Sequence, residues 1–387
     1  MERFSIVPDQ KRYIPAWDAA LALADGTIFR GKGFGADVDG DGEVVFTTSM
    51  TGYQEVCTDP SFRGQIVCMT YPIIGNYGVT AEDSQSRQPW IAGLVVHELA
   101  TRPSNWHSEG TLDDYLKENG IPGISGVDTR ALTRHIRAVG DLRAALIHHA
   151  NGLSDEELTE RARKATLPGE HDVVGEVMIH EERTFGDDNA GPHVVVLDCG
   201  VKMNIINSLV TRGAKVTVLP YGSSYERVTA LSPDGVVVSP GPGDPANLDE
   251  GLDIVRSVLK DERPYFGICL GHQLLARAIG ADTEKLKFGH RGGNQPIKDE
   301  RSGRVTMTAQ NHSFQVRADS VPTDEGWQIA LRNLNDNSVE GLAHETMPVL
   351  SVQFHPEAAP GPADNGVLFD EFLELISGTA KNDEGKK

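Results

Sequence analysis

The sequence predicts an α/β protein of two units: an N-terminal mixed α/β domain over residues 1–190, then a doubly wound, mainly parallel α/β domain over 191–387. Three observations predict this. Beyond residue 191, short apolar runs alternate with segments of helical period, the pattern of parallel βαβ units. Before it, strand and helix patterns mix without that alternation. Between them, Thr184-Phe-Gly-Asp-Asn-Ala-Gly-Pro192 gathers turn-forming and acidic residues. The 387 residues suit two to three domains at roughly 150 residues each.

In the first unit, apolar residues 20–24, Asp25-Gly26 and residues 27–30 read as a tight hairpin. Further strands are expected over 43–48, 65–70 and 92–97. Helical spacing covers 111–119 and 128–139, with Asp128 as N-cap. The second unit reads as strands over 194–198, 215–219, 235–239 and 264–269. These alternate with helices over 203–212, 252–259 and 272–280, the last ended by Gly280. Strands over 305–309 and 349–354 precede a final helix over 366–376, and the polar tail 377–387 is expected to fray.

Composition excludes several function classes. With 36 basic and 56 acidic residues the net charge is −20, so the mean field repels nucleic acid and anionic membranes, and no basic patch offsets it. No apolar run is long enough for a membrane span and residues 1–12 carry no export signal, so a cytoplasmic location is expected. Cys57, Cys68, Cys199 and Cys269 are too few and scattered for a disulfide framework or a metal knuckle, which predicts a reducing compartment and no metal site.

The strongest chemical signal is Gly267-x-Cys269-x-Gly271, where an apolar strand turns directly into a helix. This is a nucleophile elbow carrying sulfur. The flanking glycines leave room for the sharp turn, and the helix N-terminus favours the thiolate, the reactive form. The other three cysteines read as small buried hydrophobes. Of 13 histidines, His355 has the best context as base, closing an apolar strand with Glu357 two residues on. In extended backbone those side chains share a face, so Glu357 can orient the imidazole. His272, on the outgoing helix, is the rival base and is expected to point away from the strand-end crevice. Val238-Ser-Pro-Gly-Pro-Gly-Asp-Pro245 follows another parallel strand, and its Gly241 and Gly243 can present backbone N–H donors at the same sheet edge.

Gly267-Ile-Cys-Leu-Gly-His-Gln273, Pro240-Gly-Pro-Gly-Asp244 and Phe354-His-Pro-Glu357 together resemble the triad, or class I, glutamine amidotransferase domain. That resemblance implies that Cys269 attacks the side-chain amide of glutamine, His355 shuttles the proton, and Glu357 orients His355. The first unit narrows the family. Residues 42–55, Thr58-Asp-Pro-Ser61, Tyr71-Pro-Ile-Ile-Gly-Asn-Tyr-Gly78 and Gly126-Val-Asp-Thr-Arg-Ala-Leu-Thr133 are similar to the N-terminal domain of carbamoyl-phosphate synthase small chains. By that similarity Ser61, Gly241, Gly243, Leu270, Gln273, Asn311, Ser313 and Phe314 line the glutamine pocket, and the first unit docks a partner and adds to the ammonia path.

The resemblance implies a glutaminase subunit without cofactor of its own, in a hetero-oligomer with a large chain that carries ATP and Mg. Ammonia passes to that chain inside the protein, and the product serves arginine or pyrimidine biosynthesis or both. No ATP phosphate loop occurs in this sequence, and Gly31-Lys-Gly-Phe-Gly35 has the wrong spacing for a dinucleotide fingerprint. Two other readings are weaker. Another triad amidotransferase, for anthranilate, guanylate or cytidylate synthesis, lacks the first-unit motifs, and a regulatory module would not need Cys269, His355 and Glu357 together.

The sequence departs from the family twice. Asn311-His-Ser-Phe314 has serine where the family has glycine, which carries strain if position 313 needs positive φ. The chain also has a longer lead over residues 1–17 and an acidic insert, Asp37-Val-Asp-Gly-Asp-Gly-Glu43. Asp37, Asp39, Asp41 and Gly42 match the opening of a calcium loop, but its twelfth position is Thr48 and no helices flank it, so a solvated acidic turn is expected.

Overall fold

The computed structural model describes residues 17–378. The lead up to residue 16 and the tail from 379 lie outside the described residues. In the first unit seven strands close into a barrel: Ala19–Leu23, Ile28–Gly35, Pro122–Ser125, Gly93–Val95, Gln65–Met69, Gly40–Thr47 and Leu142–Ile147, in that order around the wall. The two-residue period is visible along Ala19–Leu23. Leu21 and Leu23 pack with Val44, Ile66, Leu146 and the helix residues Leu132 and Ile136, whereas Ala20 and Ala22 face Leu158 and Ala162 of Asp155–Arg163. The small alanines let that helix lie close. Thr129–Val139 begins where the sequence indicates, with the Asp128 side chain accepting from the Ala131 N–H.

The second unit is a ten-stranded sheet whose centre is parallel, in the order Lys215–Pro220, His193–Asp198, Gly235–Val238, Tyr265–Ile268, Val349–Val352. Helices cover both faces. Met203–Val210 and Val367–Ser377 place Ile205, Leu209, Phe369 and Phe372 on one side, while Asp249–Lys260 and Leu270–Ala278 place Leu252, Val255, Leu274 and Leu275 on the other. An antiparallel extension continues the sheet through Val339–His344, Trp327–Asn333, Thr283–Asp299 and Val305–Val316.

Several segments differ from expectation. Thr184 and Phe185, read as part of a turn, sit in the edge strand Arg183–Phe185, which pairs antiparallel with Lys215–Pro220. The strand over 305–309 runs on to Val316, and its long partner Thr283–Asp299 was not anticipated. That partner is glycine- and charge-rich and interrupted by register shifts, so it has no clean alternation to read. Ser377, expected to fray, closes the last helix. Among the described residues no helix is long and apolar enough to cross a membrane.

The units are joined directly. Thr48 N–H donates to the Arg291 carbonyl, Lys285 pairs with buried Glu43 at 2.6 Å, and the Asn311 amide donates to Asp59 at 3.0 Å. In the acidic insert, Asp39 pairs with Arg161 and accepts from the His148 N–H, while Asp37 contacts His149.

Candidate active site

Parallel strands deliver their C-terminal ends to one edge, and four segments leave from it: 199–202, 239–244, Cys269 and 353–357. Cys269 has φ 51° and ψ −102°, a conformation that costs a non-glycine residue about 1–3 kcal/mol. Its neighbours show why they are glycine. A Cβ on Gly267 would come within 2.7 Å of the Gly271 carbonyl oxygen, and one on Gly271 within 2.2 Å of the Val238 oxygen. The turn thus holds the sulfur at the start of Leu270–Ala278, facing a cavity of about 250 Å³.

Behind the sulfur stands His355, whose Nδ1 is 2.7 Å from Glu357 Oε1. A hydrogen-bonding contact with the Cys269 side chain contributes to raising its pKa, yet Nε2 forms no hydrogen bond within normal limits. The approach is therefore looser than a closed hydrogen bond. The backbone N–H of His355 donates to Ala309, tying this segment to the antiparallel extension.

Sequence reasoning missed a fourth member, Lys202. Its ammonium is 2.9 Å from Glu357 Oε1 and donates to the Ala358 carbonyl at 2.6 Å, with the side chain 2% exposed. Asp198 shapes the loop that carries it, accepting from the Gly200, Val201 and Ile179 N–H groups. No local motif marks Lys202, because tertiary packing alone brings it to Glu357.

These contacts set the charges. Burial would raise the Glu357 carboxyl, but Lys202 first and His355 second hold it down at about 2. Burial would lower the His355 imidazole, but Glu357 outweighs both it and the opposing Lys202 charge, and the contact with Cys269 adds to the rise, to about 10. Both shifts contribute to stability. The Glu357 contribution is present above its ordinary 4.5 and is lost as pH falls toward 2, while the His355 contribution is present below 6.5 and is lost as pH rises toward 10. Thermal stability is therefore expected to be highest between about pH 4.5 and 6.5 as far as this pair is concerned. Scanning Tm against pH for the native chain and for Glu357→Gln checks this, since the variant should lose much of both limbs.

The cavity brings together Ser61, Gly241, Gly243, Cys269, Gln273, Asn311, Ser313 and Phe314. Ser61 comes from the first unit. Leu270 is the exception among the expected lining residues: its side chain packs in the core and it does not border the cavity, while its backbone N–H, in the first helical turn, has no intrahelical partner. Ser313 does not have positive φ, so serine there carries none of the strain considered above, and its hydroxyl accepts from the Arg291 guanidinium. Glu43, Gln65, Lys285 and Arg291 also line the cavity without any sequence signal. His272 is turned into the sheet with Nδ1 3.0 Å from Ser351 Oγ, and burial lowers its pKa to about 3.

Two family descriptions match the chain: "Carbamoyl-phosphate synthase small chain, CPSase domain" over residues 21–146, and "Glutamine amidotransferase class-I" over residues 195–375. The carbamoyl phosphate synthase small chain of Archaeoglobus fulgidus is 48% identical over 361 residues, covering 92% of this chain and 98% of that one. The chain belongs to the carbamoyl-phosphate synthase small-chain family. Other small chains are similarly related. That of Listeria monocytogenes serotype 4b is 49% identical with 92% and 96% of the two chains covered, and that of Methanopyrus kandleri is 49% identical with 92% and 98% covered. Among small chains of such similar length, the present one aligns through both units rather than through the amidotransferase unit alone.

Proposed function

We propose that this chain is the glutaminase subunit of carbamoyl-phosphate synthase, hydrolysing L-glutamine through a cysteinyl thioester. The observation that carries the reading is Cys269, held at a strained turn in a small cavity bordered by hydroxyl, amide and charged side chains, with the His355–Glu357 pair behind it. The Cys269 thiolate adds to the side-chain amide carbon of glutamine. The resulting oxyanion is held by the backbone N–H groups of Gly241 and Leu270. His355 gives its proton to the departing nitrogen, the C–N bond breaks, and ammonia leaves a γ-glutamyl thioester. Water then adds, its proton returns to His355, and glutamate departs with Cys269 restored. Glu357 keeps the imidazole in one orientation throughout and stabilises its charged form.

Ser61, Gln273, Asn311, Ser313, Phe314 and Gly243 would surround the amino acid end of the substrate with hydroxyl, amide and backbone groups. Ammonia protonated in water is no nucleophile, so the product is delivered internally to a large chain. That partner binds ATP, Mg and bicarbonate and makes carbamoyl phosphate in the cytoplasm for arginine or pyrimidine synthesis or both, while the present chain works without a cofactor of its own. The test is an assay of the complex with the large chain, using amide-¹⁵N glutamine, bicarbonate and ATP in excess unlabelled ammonium. The label should pass to carbamoyl phosphate undiluted. Free exchange with solvent ammonium would count against internal delivery, and failure to co-purify with a large chain against the assignment.

A further inference from the structure

Gln353 is fully buried two residues before His355 and belongs to none of the roles above. Its amide Nε2 is 3.6 Å from Cys269 Sγ, and its Oε1 accepts from Gln273 Nε2 at 3.1 Å. The orientation of both amides follows from one carbonyl. Phe314 O can only accept, and it takes a hydrogen bond from Gln273 Nε2 at 2.9 Å. Gln273 must therefore show its amino group, not its carbonyl, to this side. Gln353 must meet that amino group with Oε1, which leaves its own amino group toward the sulfur. A flip of either amide would set donor against donor or acceptor against acceptor.

Two consequences converge on the reaction. The thiol now donates to the Asn311 carbonyl at 3.7 Å, a contact that turns repulsive once the proton leaves. The Gln353 donor gains at that same moment, because a hydrogen bond to an ionised acceptor is stronger than one to a neutral one. With both Gln273 amino hydrogens committed, its Oε1 is the atom left for a ligand in the cavity, suited to a cationic donor such as an α-ammonium.

We propose that Gln353 is a catalytic residue of the glutaminase reaction: it donates to the Cys269 thiolate while fixing Gln273 as an acceptor for the substrate's amino group. This rests on the glutaminase reading above. The test uses the complex with the large chain and two variants. Gln353→Glu keeps the shape and the acceptor for Gln273 but sets a carboxylate against the sulfur; Gln353→Met keeps the length and loses both bonds. The glutamate variant should show kcat for glutamine down by about tenfold or more with KM within about twofold, the loss of one charge-assisted hydrogen bond. The methionine variant should lower kcat and raise KM about tenfold as well. Iodoacetamide labelling of Cys269, the only cysteine lining the cavity, should move to higher pH in both.

Ammonia-dependent synthesis should stay at the native level, which reports on folding and assembly. Native kinetics with glutamine and an unmoved labelling profile in the glutamate variant would overturn the proposal, whatever the methionine variant does. Should Cys269→Ser keep glutamine-dependent activity, the glutaminase reading fails instead, and the two failures are told apart.

Discussion

Cys269→Ser should abolish glutamine-dependent carbamoyl phosphate synthesis, by more than about a thousandfold, while ammonia-dependent synthesis by the complex stays near native. Serine replaces one chalcogen atom, so the strained turn, the cavity and the contacts to Val352 and Asn311 are retained. What changes is the nucleophile. A hydroxyl needs a strong base to take its proton during attack, and His355, held at about 10 by Glu357, rests as an imidazolium at neutral pH. It can give a proton but has none of the free lone pair a serine would require. A thiol gives up its proton far more readily than a hydroxyl, so sulfur can serve as nucleophile without that lone pair and oxygen cannot. Steady-state rates with glutamine and with ammonium, measured on the same preparation, check both halves of the expectation. Substantial glutamine use by the serine variant would remove the thioester from the mechanism.

How much of this was legible in the sequence depends on how local each feature is. The elbow at Cys269 is written within five residues, because steric limits at Gly267 and Gly271 are set by one turn. The His355–Glu357 pair is two residues apart and so equally local, but the strand expected there stops at Val352 and residues 356–357 form a turn. The two side chains therefore meet across that turn rather than along one face of a strand. The Asp128 cap and the hairpin at Asp25-Gly26 are local in the same sense. Long-range features were silent. The long strand Thr283–Asp299 carries residues such as Gly289, Gly292 and Pro296 that read as loop, and it becomes a strand only because Val305–Val316 pairs along it through two register shifts. Lys202 and Arg291 are single charged residues whose burial depends on ion-pair partners, Glu357 and Asp141, each more than 100 residues away. Nothing in their own surroundings distinguishes them from surface charges. Ser313 shows the opposite case: a local departure from a family pattern that suggested strain, which the backbone conformation removes.

Lys202→Met should lower both stability and glutaminase activity, although Lys202 reaches neither sulfur nor cavity. Removing one partner of a buried ion pair leaves the other charge without compensation, typically at about 3–5 kcal/mol. Here the stranded group is Glu357, whose Oε2 already lacks a partner and whose Oε1 is shared between Lys202 and His355. Lys202 is the largest of the influences that hold the Glu357 carboxyl down, so its loss should raise that pKa and shift the acid limb of the stability profile to higher pH. The Ala358 carbonyl loses its donor at the same time, loosening the backbone that follows the triad. The double variant Lys202→Met, Glu357→Gln separates the two effects. A neutral amide has no charge to strand, so most of the lost Tm should return, whereas activity should remain low because nothing then holds His355 in its charged form. Calorimetry and glutamine-dependent rates on the three variants decide the matter. A Lys202→Met protein with native Tm and native rate would mean that Glu357 is solvated well enough to need no cation. Lys202 itself opposes the imidazolium, so its only favourable action on His355, that of keeping Glu357 ionised, would then be dispensable.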